Sequence, residues 1–171
     1  VMLSAETAVG AHPIEAVKTM NDVCLETEKS PTAKVSHHRL HEHFEGIDET
    51  IAMSSMYAAN HLGAKVVATL TQTGKTALWM SRISSNIAIF AMSDNYKTLK
   101  KVTIYRGVYP CYIDKTSADD WNHVNTHVIE NLENKSQVEK GDIVIVTKGM
   151  HKDKSGGTNL MKILRVGDGN Y

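Results

Sequence analysis

Lys65-Val66-Val67-Ala68-Thr69-Leu70-Thr71-Gln72-Thr73-Gly74-Lys75-Thr76-Ala77 runs an apolar strand straight into a short loop of hydroxyls, glycine and lysine, with helix-forming sequence after it. A strand end that opens into a helix start is where open α/β sheets place their ligands. The residue types suit an anion. Gly74 lets the backbone come close, the first N–H groups of the helix have no intrahelical acceptor, and Thr71, Thr73 and Thr76 offer hydroxyls around the Lys75 charge. The stretch predicts a phosphate cradle, and its neighbours predict the fold.

Upstream, Ile51 to Asn60 has apolar residues at helical spacing, with Asp48 placed as an N-cap and Gly63 as a terminator. Downstream come a helix over 75–83 and Ile87-Ala88-Ile89-Phe90-Ala91-Met92, an unbroken apolar run of the kind that parallel sheets bury on both faces. Asp94-Asn95 caps a short helix through Lys101. Residues 102–105 read as a short strand, Arg106-Gly107 as a turn, and 108–113 as a further main strand. A helix of about four turns spans 118–134. The runs 142–147 and 161–166 are separated only by a polar, glycine-bearing loop, which favours an antiparallel hairpin. The expected fold is an open three-layer α/β/α arrangement over 47–171: a mostly parallel sheet of about five strands with one antiparallel edge strand.

Residues 30–46 read as a polar connector. They carry His37, His38, His41 and His43; His37 and His41 lie one helical turn apart, but no cysteine joins them and Glu42 is the nearby carboxylate, so a solvated connector is favoured over a zinc site. Before the connector, Val1-Met2-Leu3-Ser4 reads as the end of a buried strand with no chain before it. Pro13 then opens a helix over 13–29. One strand end and one helix cannot bury both their faces, so residues 1–29 are expected to be the last β/α unit of something larger.

The 171 residues carry 19 Lys+Arg against 19 Asp+Glu, so no broad field recruits nucleic acid or an anionic membrane and any anion recognition is local. Cys24 and Cys111 have neither CxxC nor zinc-type spacing, which fits structural, reduced thiols and a cytoplasmic location. No apolar run approaches the roughly 20 residues of a membrane helix. Gly74-Lys75-Thr76 matches the end of a Walker A pattern, but Thr69 stands where its first glycine is required, which argues against a nucleotide triphosphatase. No constellation for nucleophilic or metal-assisted hydrolysis is present, so no catalytic or metal-binding residue is assigned. The Met53 and Met56 pair reads as core filling. A second candidate anion site is the hairpin loop His151-Lys152-Asp153-Lys154-Ser155-Gly156-Gly157-Thr158-Asn159, which reads equally well as an exposed turn.

At these residues the chain resembles the pyruvate kinases along essentially its whole length. Val1-Met2-Leu3-Ser4-Ala5-Glu6-Thr7-Ala8, Gly10 and His12 to Val17 look like the last strand, loop and helix of that family's catalytic (β/α)8 barrel. Thr71 to Ala77, Tyr105-Arg106-Gly107-Val108-Tyr109-Pro110, Lys140 to Val146 and Gly156-Gly157-Thr158-Asn159 follow the order of its C-terminal domain. Ser36 to Leu40 and Ala52 to Leu62 are similar to the bacterial subgroup activated by AMP or sugar monophosphates. The resemblance implies a parent enzyme that transfers phosphoryl from phosphoenolpyruvate to ADP with magnesium and potassium, as a cytoplasmic homotetramer. The family's catalytic lysine, acidic metal ligands and phosphate-binding arginine belong to barrel strands that are not in this sequence. Ser4, Glu6 and Thr7 match the rim of the active site and receive no catalytic role, and the fragment itself is expected to need no cofactor.

The resemblance also implies an effector site made by Thr71, Gln72, Thr73, Gly74, Lys75 and Thr76, with Lys152, Lys154, Ser155, Gly156 and Gly157 as a second loop. Lys75 stands where animal-type enzymes carry arginine, no Trp-Arg pair occurs in the hairpin loop, and Trp121 aligns only loosely with an effector-contacting tryptophan. A monophosphate is therefore expected over a bisphosphate. The alternatives are a subunit-interface domain with a degenerate site and an unrelated phosphate-binding enzyme.

Overall fold

Residues 66–70, 88–93 and 143–149 are almost wholly buried along their length, and they form the centre of one five-stranded sheet. The computed structural model describes residues 1–30, 43–114, 121–149 and 157–169, the first two residues of the third segment by backbone only. The helices are α1 (Ala5–Ala8), α2 (Pro13–Glu28), α3 (Ile47–Leu62), α4 (Lys75–Ser81), α5 (Tyr96–Val102) and α6 (Trp121–Asn134). The strands are β1 (Val66–Leu70), β2 (Ala88–Ser93), β3 (Val108–Tyr112), β4 (Ile143–Gly149) and β5 (Thr158–Arg165). Their order across the sheet is β3-β2-β1-β4-β5. All neighbours pair in parallel except β4 and β5, the antiparallel edge pair that the short polar connection predicts.

Alternate residues of each strand face opposite layers. Val67, Ile89, Ala91 and Ile145 pack with Ala52, Met53, Met56 and Ala59 of α3, Ala77 and Met80 of α4, and Val102 of α5. Val66, Ala68, Phe90, Met92, Val144 and Val146 pack with Val128, Ile129 and Leu132 of α6. Helices therefore cover both faces, which is why the central strands read as continuous apolar runs. The methionines at 53, 56 and 80 are fully buried, as core filling. Each contributes about 1.5–3 kcal/mol by the area it removes from water.

Three local expectations are corrected. Gly46, not Asp48, is the N-cap of α3; Asp48 lies within the first turn, where an acidic residue is favourable, and is itself buried. Residues 102–105 are no strand. Asn95 caps α5 by accepting a hydrogen bond from the Lys97 N–H at 3.0 Å, and the spacing of buried Thr98, Leu99 and Val102 extends that helix to 102 before a turn. Val1–Ser4 is not a strand either, since no neighbour among the described residues pairs with it, and Val1 and Met2 are exposed. Gly63 ends α3 in the left-handed region, with φ of 63°, as expected of a helix terminator. Helix α2 buries none of its residues. Among the described residues no helix is long and apolar enough to cross a membrane.

Candidate phosphate-binding site

The chain builds outward from β1 to β2 to β3, then returns through α6 to β4 on the other side of β1. The order therefore reverses between β1 and β4. At such a switch point the connections leave in opposite directions and open a crevice at the carboxyl ends of the strands. The 71–76 loop follows the end of β1, and the segment between Gly149 and Thr158 follows the end of β4. Thr69 and Thr147 are in register across this boundary, so the two strand ends lie side by side.

The loop is held from three directions. Thr71 N–H donates to Met92 O at 3.0 Å, which ties the loop's start to β2. Helix α5 holds its middle: the Thr98 hydroxyl donates to Gln72 O at 2.5 Å, and the Lys101 ammonium donates to Thr73 O at 3.3 Å. Inside the loop, Gly74 N–H donates to the Thr71 hydroxyl at 2.9 Å. Gly74 has φ of 76°, and a Cβ there would lie 2.7 Å from Val102 Cγ1, so this position requires glycine for both conformation and space. With these carbonyls turned toward α5, the N–H groups of Lys75, Thr76 and Ala77 precede the first helical hydrogen bond, from Leu78 N–H to Gly74 O.

The predicted side chains divide. Gln72 and Lys75 are exposed, Thr71 and Thr73 half-buried, and Gly74 and Thr76 buried. The Thr76 hydroxyl lies 2.7 Å from the Thr158 hydroxyl and shares a hydrogen bond with it, both side chains being buried. This bond fastens the start of α4 to the start of β5, where the second loop ends. Gly149 and Gly157 form the neck of that second loop: a Cβ on Gly149 would lie 2.5 Å from Gly157 O. Lys152, Lys154, Ser155 and Gly156 lie outside the described residues, as do His37, His38 and His41; His43 is exposed. Among the described residues no three or more His, Cys, Asp or Glu side chains gather as a metal site.

Sequence reading alone missed Asp48. Its Oδ2 lies 2.9 Å from the Lys75 ammonium, and its side chain is 5% exposed against 46% for Lys75. It also missed Thr158, Thr98 and Lys101, whose roles depend on contacts between residues far apart in the chain. Cys111 is buried, with its sulfur 3.1 Å from Asn131 Oδ1 and 3.2 Å from the Lys135 ammonium, while Cys24 is half-buried; both are free thiols.

The family model of the pyruvate kinase alpha/beta domain matches residues 49–164, which include all of the sheet except Arg165 at the end of β5. The chain belongs to the pyruvate kinase family. It is 47% identical over 167 residues to a pyruvate kinase of Buchnera aphidicola subsp. Baizongia pistaciae, covering 97% of this chain and 34% of that protein. It is 48% identical over 167 residues to pyruvate kinase II of Salmonella typhimurium, with 97% and 34% covered. In a crystal structure of a pyruvate kinase from Cryptosporidium parvum the same fold recurs with a TM-score of 0.77, at 31% identity, over 96% of this chain and 32% of that one. The chain thus spans about a third of the length of the pyruvate kinases it matches.

Proposed function

We propose that this chain is the effector-binding region of a pyruvate kinase. The 71–76 loop takes the phosphoryl group of a small metabolite, AMP or a sugar monophosphate, and Lys152, Lys154, Ser155, Gly156 and Gly157 supply the second effector loop. The observation that carries this reading is the position of the 71–76 loop at the end of β1, at the β1/β4 switch point, where the Thr76–Thr158 hydrogen bond ties it to the start of β5. Lys75 supplies the charge, and Gly74 brings the backbone within reach of an anion.

In the same reading the parent transfers phosphoryl from phosphoenolpyruvate to ADP in the cytoplasm, with magnesium and potassium, as a homotetramer. Residues 1–29 are the remnant of the last β/α unit of its catalytic barrel, whose strand would form only beside the parent's other barrel strands, which fits the exposure of Val1 and Met2 and of Ile14, Val17, Val23 and Leu25 on α2. Residues 30–46 connect that unit to the regulatory domain over 47–171. Phosphoryl transfer belongs to the parent's other residues, so the fragment by itself makes no pyruvate; pyruvate formed by the purified chain would overturn that part.

Isothermal titration with AMP, ribose 5-phosphate and fructose 1,6-bisphosphate tests the site. A monophosphate is expected to bind, and Lys75→Ala to weaken it by removing a charge-assisted contact of about 1.5–3 kcal/mol. Binding by none of the three would sink the effector reading and leave a subunit-interface domain whose site has degenerated.

A further inference from the structure

Lys75 is the cation at the start of α4, and it already has an anion. Asp48 reaches it from a separate helix, with Oδ2 2.9 Å from the ammonium. The carboxylate is enclosed: its side chain is 5% exposed, and a Cβ on Gly46 would lie 2.5 Å from its Oδ1. Among the described residues Asp48 Oδ2 accepts no aligned hydrogen bond, and its charge is met by the ammonium and by the amide dipoles of the first turn of α3. Lys75 differs in that its side chain is 46% exposed, so it remains open to solvent.

A phosphate at Lys75 therefore meets a cation that is already neutralised. Either it draws the ammonium away and strands a buried carboxylate, or it shares the ammonium and meets the carboxylate's repulsion. We propose that Asp48 is an intramolecular competitor for Lys75 that sets how tightly the site holds a phosphate monoester. The proposal rests on the phosphate-site reading above. Asp48 acts through Lys75 and is a positioning residue that works against the ligand.

Its sign separates it from a structural role. Calorimetric titration of ribose 5-phosphate and AMP into the unaltered chain, Asp48→Asn and Lys75→Ala tests it. Asp48→Asn is expected to tighten both ligands by about tenfold or more, without a gain for adenosine, which lacks the phosphate. A residue needed only to hold the loop would weaken binding instead. Lys75→Ala is expected to lose binding. If Lys75→Ala loses binding while Asp48→Asn gains none, the competitor proposal is overturned and the phosphate site stands. If Lys75→Ala keeps full affinity, the phosphate-site reading falls and this proposal with it. Should Asp48→Asn fail to fold, NMR of the unaltered chain labelled with ¹³C-aspartate decides. The Asp48 carboxyl resonance is expected to move at saturation with ribose 5-phosphate, and an unmoved resonance overturns the proposal.

Discussion

Replacing Lys75 by alanine is expected to weaken the fold as well as the site, and by more than replacing its partner. The two ends of the ion pair are unequally buried, at 5% for Asp48 and 46% for Lys75. Removing one partner of a fully buried pair costs about 3–5 kcal/mol, because it leaves an uncompensated charge. Here water can follow the lost lysine toward Asp48 Oδ2, and the first turn of α3 still favours a negative charge, so about 2 kcal/mol is the reasoned cost. For a chain of this size that lowers the melting temperature by roughly 4–8 °C. Asp48→Asn leaves an ammonium that can turn to solvent, which costs about 0.5–1 kcal/mol. The double variant should therefore be more stable than the sum of the single losses implies, with a coupling of about 1 kcal/mol. Urea unfolding followed by far-UV circular dichroism measures all four proteins. The reasoning is refuted if the two losses add within about 0.5 kcal/mol, or if Asp48→Asn is the more damaging change.

Gly74→Ala places a Cβ 2.7 Å from Val102 Cγ1 at a residue with φ of 76°, and should destabilise the chain by about 2 kcal/mol in the same unfolding assay. Thr76→Val strands the buried Thr158 hydroxyl and should cost about 1–3 kcal/mol, whereas the double variant Thr76→Val with Thr158→Val should recover most of that loss. A double variant no better than the single one would show that the hydroxyl pair is not the cause. The Tyr112 phenol donates to Asp114 Oδ1 at 2.6 Å, and that bond, with the carboxylate's charge, pushes it up to about 12. Its neutral form is the one favoured by folding, so the contribution to stability is complete below the ordinary tyrosine value of about 10 and fades as pH rises through the raised one. Ultraviolet difference titration of the unaltered chain against Asp114→Asn should show the Tyr112 phenol moving back toward its ordinary value in the variant.

The order of elements was legible because it depends on local pattern. The unbroken apolar run at 87–92, and the run at 66–70 with Thr69 as its one polar residue, suit burial on both faces in a sheet covered by helices on each side, and the polar, glycine-bearing sequence between the last two runs favoured the antiparallel pair. Where local signals competed, reading along the chain failed. Val102 is apolar and β-branched, yet the cap at Asn95 and the buried spacing of Thr98, Leu99 and Val102 carry the helix through it. Asp48 carries the same preference for a helix start whether it caps the helix or lies two residues after the cap, within the first turn.

By itself the sequence determined the sheet, the two layers of helices, and a loop of hydroxyls, glycine and lysine at the end of β1. Only the tertiary structure decided what those loop residues face. Thr76 offers its hydroxyl to Thr158, 82 positions away, a contact that no reading along the chain reveals. Lys75 could have stood as an uncompensated cation and instead meets Asp48 from a helix that precedes β1. Backbone pattern follows from neighbouring residues, whereas the charge left on a side chain is the balance of contacts that only the folded arrangement brings together.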